Sequence, residues 1–158
     1  MIKPIPFSKP DIGKKELESV KKVLNSGKLS GNGEFTFKSE KLLENTIDSK
    51  RVLLTTSCTH SLEMAAILLN LKLDDEVIVP SYTFVSTALA FLMHGAKIRF
   101  IDIDDKNLNM DANLLKKLIN KRTKAIVPVH YGGIGCEMDK IIKIANDRNI
   151  KVVEDNAH

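Results

Sequence analysis

The chain has 158 residues, with 24 Lys plus Arg against 20 Asp plus Glu, a formal charge of +4, 43% hydrophobic residues and 5% aromatic residues, which is one domain's worth of globular protein. No apolar run approaches the roughly 20 residues needed to cross a bilayer, so no membrane partner is expected. Basic residues alternate with acids, and the densest basic cluster (Lys116, Lys117, Lys121, Arg122, Lys124) contains no aromatic to stack on bases, so no nucleic acid is expected either.

The stretch MIKPIPFSKP carries Pro4, Pro6 and Pro10 and reads as an extended arm. It has neither the basic region and apolar core of a secretory leader nor the pattern of a transit peptide, and a cytoplasmic location is expected. Asp11 is a candidate N-cap for a helix whose Leu17, Val20, Val23 and Leu24 share one face and which ends at Ser26-Gly27. Gly27 to Thr36, rich in glycine and without hydrophobic period, reads as a loop. Leu42, Leu43 and Ile47 suggest a second amphipathic helix.

From Arg51 onward, short Val- and Ile-rich runs alternate with helical periodicity. The strands are expected at Val52 to Leu54, Glu76 to Val79, Ile98 to Ile103, Ala125 to Val129 and Lys151 to Glu154. The helices are expected at Ser61 to Leu71, Thr83 to His94, Ala112 to Ile119 and Met138 to Arg148. Five strands with four crossover helices describe an α/β fold with a mostly parallel sheet, and the near-continuous apolar strands fit burial on both faces. Residues 1–50 are expected to form an arm, helices and a Gly-rich loop, and residues 51–158 the first part of the main domain. The abrupt stop after VVED suggests the front portion of a larger molecule. Cys58 and Cys136 are too far apart for a CxxC pair and are expected to be free thiols.

In an open parallel sheet, ligands bind beyond the carboxyl ends of the strands. Thr55-Thr56-Ser57-Cys58-Thr59-His60-Ser61 opens a helix with hydroxyls and free amides, which suits a phosphate, although Ser and Thr are also common caps. Tyr82 and Phe84 follow the second expected strand, and one of them could lie against a planar ligand or pack in the core. His130-Tyr131-Gly132-Gly133-Ile134-Gly135 is a flexible connection; it is a poor dinucleotide fingerprint, because Met138 stands in place of the third glycine. The last strand ends in Glu154-Asp155, and a carboxylate leaving a buried strand needs a cation or strong donors. A flat heteroaromatic ring with a phosphate at one end and a protonatable nitrogen at the other satisfies all three features, and pyridoxal phosphate is such a molecule.

The segments GKLSGNG, TTSCTHSLEMAA, DEVIVPSYTFVSTA, GAKIRFIDID, KAIVPVHYGGIGCEMD and VVEDNAH carry a further signal. Together they resemble the N-terminal part of the DegT family of nucleotide-sugar aminotransferases, which are fold-type-I pyridoxal-phosphate enzymes. The resemblance implies a three-layer α/β/α large domain, here truncated. It implies transfer of an amino group from an amino acid, such as glutamate, to a dTDP-4-keto-6-deoxyhexose in surface-glycan biosynthesis, within a homodimer.

Residue by residue, Thr59 and the backbone of His60 match the phosphate-binding turn, beside Ser57 and Cys58. Phe84 matches the aromatic that stacks on the ring, Asp155 the partner of the pyridine nitrogen, and His158 the position beside the ring hydroxyl. Gly27, Lys28 and Leu29 lie in a segment resembling the substrate side, where Tyr82 is also expected. His60 stands where members usually carry Ala. No lysine here matches the one that forms the Schiff base, so no catalytic residue is assigned and the chain alone is expected not to transaminate. The alternatives are a related sugar dehydratase, in which that lysine is replaced, and a non-catalytic remnant.

Overall fold

The computed structural model describes residues 4–6 and 8–158. Part of the expected extended arm, residues 1–3 and 7, lies outside the described residues; Pro4, Pro6 and Pro10 are in no helix or strand. The chain divides into two compact units, Met1–Leu54 and Thr55–His158.

The first unit holds α1 (Lys14–Ser26) and α2 (Glu34–Thr46). The N-cap of α1 is Gly13, not Asp11: the Glu16 carboxylate reaches back to accept the Gly13 N–H at 2.7 Å, half of a capping box that needs no side chain at the cap. Gly27 ends the helix in the left-handed region at φ 68°, where a side chain would be strained. The loop is shorter than expected, since α2 begins at Glu34, stabilised by the Glu34–Lys38 pair one turn apart.

Val52 to Leu54 is not a strand. The Val52 and Leu54 amides donate to the carboxylates of Glu44 and Glu40, at 3.3 and 3.1 Å, instead of to a neighbouring strand. Its apolar residues misled the pattern, because hydrophobicity does not supply a pairing partner.

The second unit is a four-stranded, wholly parallel sheet of β1 (Glu76–Pro80), β2 (Lys97–Ile101), β3 (Thr123–Ile126) and β4 (Lys151–Val152), in the order β2-β1-β3-β4. Helices α3 (Cys58–Leu68), α4 (Ser86–Leu92), α5 (Leu115–Leu118) and α6 (Met138–Asn146) cover its two faces. Alternation along the strands sorts the core. Val77, Val79, Ala125 and Val127 pack with Leu62 and Ala66 of α3 and with Ala90 and Phe91 of α4. Ile78, Ile101 and Ile126 pack with Leu115 of α5 and with Ile141 and Ile144 of α6. This is the expected three-layer α/β/α arrangement, with four strands in place of five.

The ladder continues past β4, where Val153 and Asp155 donate their amides to Ile126 and Pro128 at 3.0 and 2.9 Å. The regular strand ends early because Pro128 has no amide to return.

At the opposite, amino end of the sheet, Glu76 is 2% exposed and accepts hydrogen bonds from Asn120 at 2.7 Å and Arg122 at 3.0 Å, with Arg99 at 3.4 Å. Burial pushes its carboxyl up, but these donors and the two guanidinium charges outweigh burial and hold it below the ordinary 4.5. A depressed folded-state value stabilises the fold above the unfolded value and loses that contribution as pH falls through the folded one. Glu76→Gln is therefore expected to lower the urea midpoint at about pH 7. The gap from the parent should close progressively as the pH is taken below 4.5; a gap that does not change with pH would assign the loss to packing alone.

Candidate functional site

Strand order fixes where a site can form. From β1 the chain passes through α4 to β2 on one side, then returns through α5 to β3 on the other side of β1. The connections therefore diverge between the carboxyl ends of β1 and β3, which opens a crevice there. The segments that follow these ends are Ser81 to Val85 after β1 and His130 to Ile134 beyond β3. Tyr82 and Tyr131 meet across the gap, with hydroxyls 3.0 Å apart and ring centroids 4.6 Å apart.

On the rim, α3 begins at Cys58 with Ser57 as N-cap. The Ser57 hydroxyl accepts the His60 amide at 3.2 Å, so that amide is already engaged, whereas the amides of Cys58 and Thr59 have no helical carbonyl to bond. The Thr59 side chain is half-buried. The His60 ring turns back on its own turn, with Nδ1 2.5 Å from the Thr56 hydroxyl.

Phe84 is 72% exposed. This settles the choice between core packing and a free aromatic in favour of the latter. His158 sits on the Gly132 turn: its Nδ1 accepts the Gly132 amide at 3.1 Å, and its ring centroid is 5.1 Å from that of Tyr131. That turn is a short 3-10 segment (Tyr131–Gly133) with Gly132 and Gly133 at positive φ, and α6 starts only at Met138, so the Gly-rich run is not a dinucleotide loop.

Asp155 is the focus of the crevice. It is 4% exposed, and three donors from three places reach its carboxylate. Thr87 of α4 donates to Oδ2 at 2.8 Å, while the Ala157 amide at 3.1 Å and the Cys58 thiol at 3.4 Å donate to Oδ1. Among the described residues it makes no salt bridge, unlike Glu76, which pairs with two arginines. A buried carboxylate without a cation is costly, so the arrangement suits a ligand that brings a positive N–H. The residues thus fit a protonated heteroaromatic ring. Second-tier contacts stiffen the far wall: buried Asn109 accepts the Tyr131 amide at 3.0 Å and donates to the Ile134 carbonyl at 2.9 Å.

The structure therefore brings Ser57, Cys58, Thr59, His60, Tyr82, Phe84, Asp155 and His158 into segments at the carboxyl ends of the strands. Cys58 and Asp155 touch directly. Gly27, Lys28 and Leu29 belong to the first unit, where Lys28 and Leu29 line a cavity of about 520 Å³ with Lys22, Asn32 and Lys38, and Gly27 serves as the helix cap. Thr87 and Tyr131 are not marked as site residues by the sequence; the spacing of Thr87 one helical turn before Phe91, which the structure buries in the core, is the signal that could have marked Thr87.

Burial, then the Asp155 charge and the hydrogen bond to it, push the Cys58 thiol up to about 11. It is a donor to Asp155 at neutral pH, not a nucleophile. Iodoacetamide at about pH 8 is expected to label Cys58 on the order of 100-fold more slowly than free cysteine, whose thiol titrates near 8.5. Labelling of Cys58 at the free-cysteine rate, read by mass spectrometry, would contradict that hydrogen-bonded state.

Residues 10–158 match the model of the DegT/DnrJ/EryC1/StrS aminotransferase family. The chain belongs to that family. It is 40% identical over 154 residues to the Bacillus subtilis spore coat polysaccharide biosynthesis protein SpsC, an alignment covering 98% of this chain and 39% of SpsC.

Among solved structures, the family fold superposes on E. coli GDP-4-keto-6-deoxy-D-mannose-3-dehydratase with bound hydrated PLP. The TM-score is 0.89 at 29% identity, covering 96% of this chain and 40% of that one. It also superposes on Helicobacter pylori PseC, an aminotransferase involved in the biosynthesis of pseudoaminic acid, with TM-score 0.88 and 31% identity, covering 98% and 42%. The chain thus spans about 40% of the length of the relatives it matches. No helix among the described residues is long and apolar enough to cross a membrane.

Proposed function

We propose that this chain is the N-terminal, cofactor-holding portion of a pyridoxal-phosphate-dependent transaminase. The whole protein would move an amino group from an amino acid, glutamate foremost, to a dTDP-4-keto-6-deoxyhexose for surface-glycan assembly, as in formation of dTDP-4-amino-4,6-dideoxygalactose. The observation that carries the reading is Asp155, a buried carboxylate at a strand end with three neutral donors and, among the described residues, no cation. Family membership and the sugar-related names of SpsC, PseC and the dehydratase support the substrate class.

When bound, pyridoxal phosphate supplies a ring that withdraws electrons from the reacting carbon of the substrate. The chain's own residues do the holding. Asp155 would hold a proton on the ring nitrogen, and the exposed Phe84 ring would stack on the cofactor. The Thr59 hydroxyl and the Cys58 and Thr59 amides, beside Ser57, would receive the phosphate, where the helix dipole favours negative charge, while the expected His60 amide stays with the Ser57 hydroxyl. His158, whose ring accepts the Gly132 amide, would lie on the side of the ring hydroxyl.

Tyr82 would serve the nucleotide-sugar side; Gly27, Lys28 and Leu29, in the first unit, lie in a segment that resembles a substrate-side segment of the family. The covalent lysine belongs to the remainder of the enzyme, so this chain binds cofactor without turnover. The intact protein works in the cytoplasm as a homodimer. Exposed Leu17, Val20 and Leu24 on α1 support burial of that face by further protein.

The 0.89 TM-score to the dehydratase favours one second reading, loss of water from a nucleotide sugar. Mass spectrometry of a dTDP-4-keto-6-deoxyhexose incubated with glutamate, pyridoxal phosphate and the full-length gene product separates the two. Replacement of the ketone by an amine is the expected result. Loss of water would select the dehydratase, and an unaltered sugar would refute both.

A further inference from the structure

We propose that Thr87 is a positioning residue that acts on the cofactor through Asp155, an inference that rests on the reading of Asp155 as the partner of the ring nitrogen. Thr87 is fully buried on α4, and its hydroxyl donates to Asp155 Oδ2 at 2.8 Å. The Thr87 oxygen lies 2.8 Å from the Thr83 hydroxyl, one turn earlier. Since the Thr87 proton is committed to a carboxylate, Thr83 must donate to Thr87, and a directional chain Thr83 to Thr87 to Asp155 results.

An ionised carboxylate offers about four lone-pair positions. Thr87 takes one on Oδ2, and the Ala157 amide and Cys58 thiol take those on Oδ1. One position remains on Oδ2, the oxygen that Thr87 orients. The Cys58 thiol is a soft, long contact at 3.4 Å and fixes direction poorly. The Ala157 amide is two residues away and moves with the same segment. Thr87 is the donor anchored independently, because Phe91, at the next turn of α4, is locked in the core. It therefore sets the angle at which Asp155 meets a ring N–H.

The test compares binding of pyridoxal phosphate with that of its 1-deaza analogue, which has a carbon in place of the ring nitrogen. The parent chain, Asp155→Asn, Thr87→Val, Thr87→Ser and Thr83→Val are compared, with equilibrium dialysis as the readout. In the parent, pyridoxal phosphate binds more tightly than the analogue. Thr87→Val is expected to cut that preference roughly fivefold while leaving analogue binding unchanged. Thr87→Ser, which keeps the hydroxyl, restores the preference.

Equal losses for both ligands in Thr87→Val would mean a merely structural role and would overturn the proposal. So would a preference intact in Thr87→Val but abolished in Asp155→Asn. A preference unaffected by Asp155→Asn would instead refute the reading of Asp155 itself. If the valine at position 87 prevents folding, Thr83→Val carries the test: a smaller fall in the same preference supports the relay, and none refutes it.

Discussion

Asp155→Asn is expected to weaken pyridoxal phosphate binding by roughly 10- to 100-fold, the loss of one charge-assisted hydrogen bond of about 1.5–3 kcal/mol. The same substitution should leave the fold nearly unchanged. The asparagine carbonyl can take the Oδ1 position and still accept from the Ala157 amide and the Cys58 thiol. Its amide then faces Thr87, whose hydroxyl can reverse and accept, with Thr83 beyond it able to reorient. Asp155→Ala behaves differently, because it leaves the Ala157 amide and the Cys58 thiol without the oxygen they donate to and opens a void beside buried Thr87, so it destabilises the chain as well. Binding measured beside a thermal melt separates the two effects. An asparagine variant that binds like the parent would remove the electrostatic basis of the site.

Phe91→Ala is expected to cost about 3–5 kcal/mol of unfolding free energy, as for other large aromatics removed from a core. That is a large share of the roughly 5–15 kcal/mol typical of a domain. Phe91 is fully buried and joins α4 to Val77 and Val79 of β1 and to Leu62 and Ala66 of α3, so three elements lose contact at once. Leu89 on the same helix is 41% exposed, and Leu89→Ala should change stability by no more than about 0.5 kcal/mol. Urea unfolding of the two variants checks the contrast. The site is coupled to this packing, since Thr87 and Phe91 share one face of α4 four residues apart. A chain that unfolds equally easily with either substitution would mean that α4 is not anchored as described.

The alternation of Val- and Ile-rich runs with helical segments made the parallel α/β layers legible, because burial on both faces leaves a distinctive apolar signature. Pattern failed where pairing decides. Val52 to Leu54 is as apolar as a strand, but Glu40 and Glu44 claim its amides. Asp11 has a good capping side chain, but the backbone of Gly13 with Glu16 fixes the helix start two residues later.

In the site, Asp155 was legible because a carboxylate at the end of a buried strand is costly, and Phe84 and Tyr82 because aromatics are scarce in this chain. Thr87 was not, because a buried hydroxyl inside a helix acquires meaning only when strand order brings it to a residue 68 positions away. Tyr131 is likewise defined by the gap between β1 and β3, which depends on the order β2-β1-β3-β4 rather than on local sequence.

One planar, phosphorylated, protonated ring is proposed to occupy the crevice between α3 and Asp155. A crystal structure of the chain grown with pyridoxal phosphate tests it most directly. The ring nitrogen is expected within hydrogen-bonding distance of Asp155 Oδ2, the ring against Phe84 and the phosphate at the Cys58 and Thr59 amides. A cofactor bound elsewhere, or with its nitrogen turned away from Asp155 toward solvent, would contradict it.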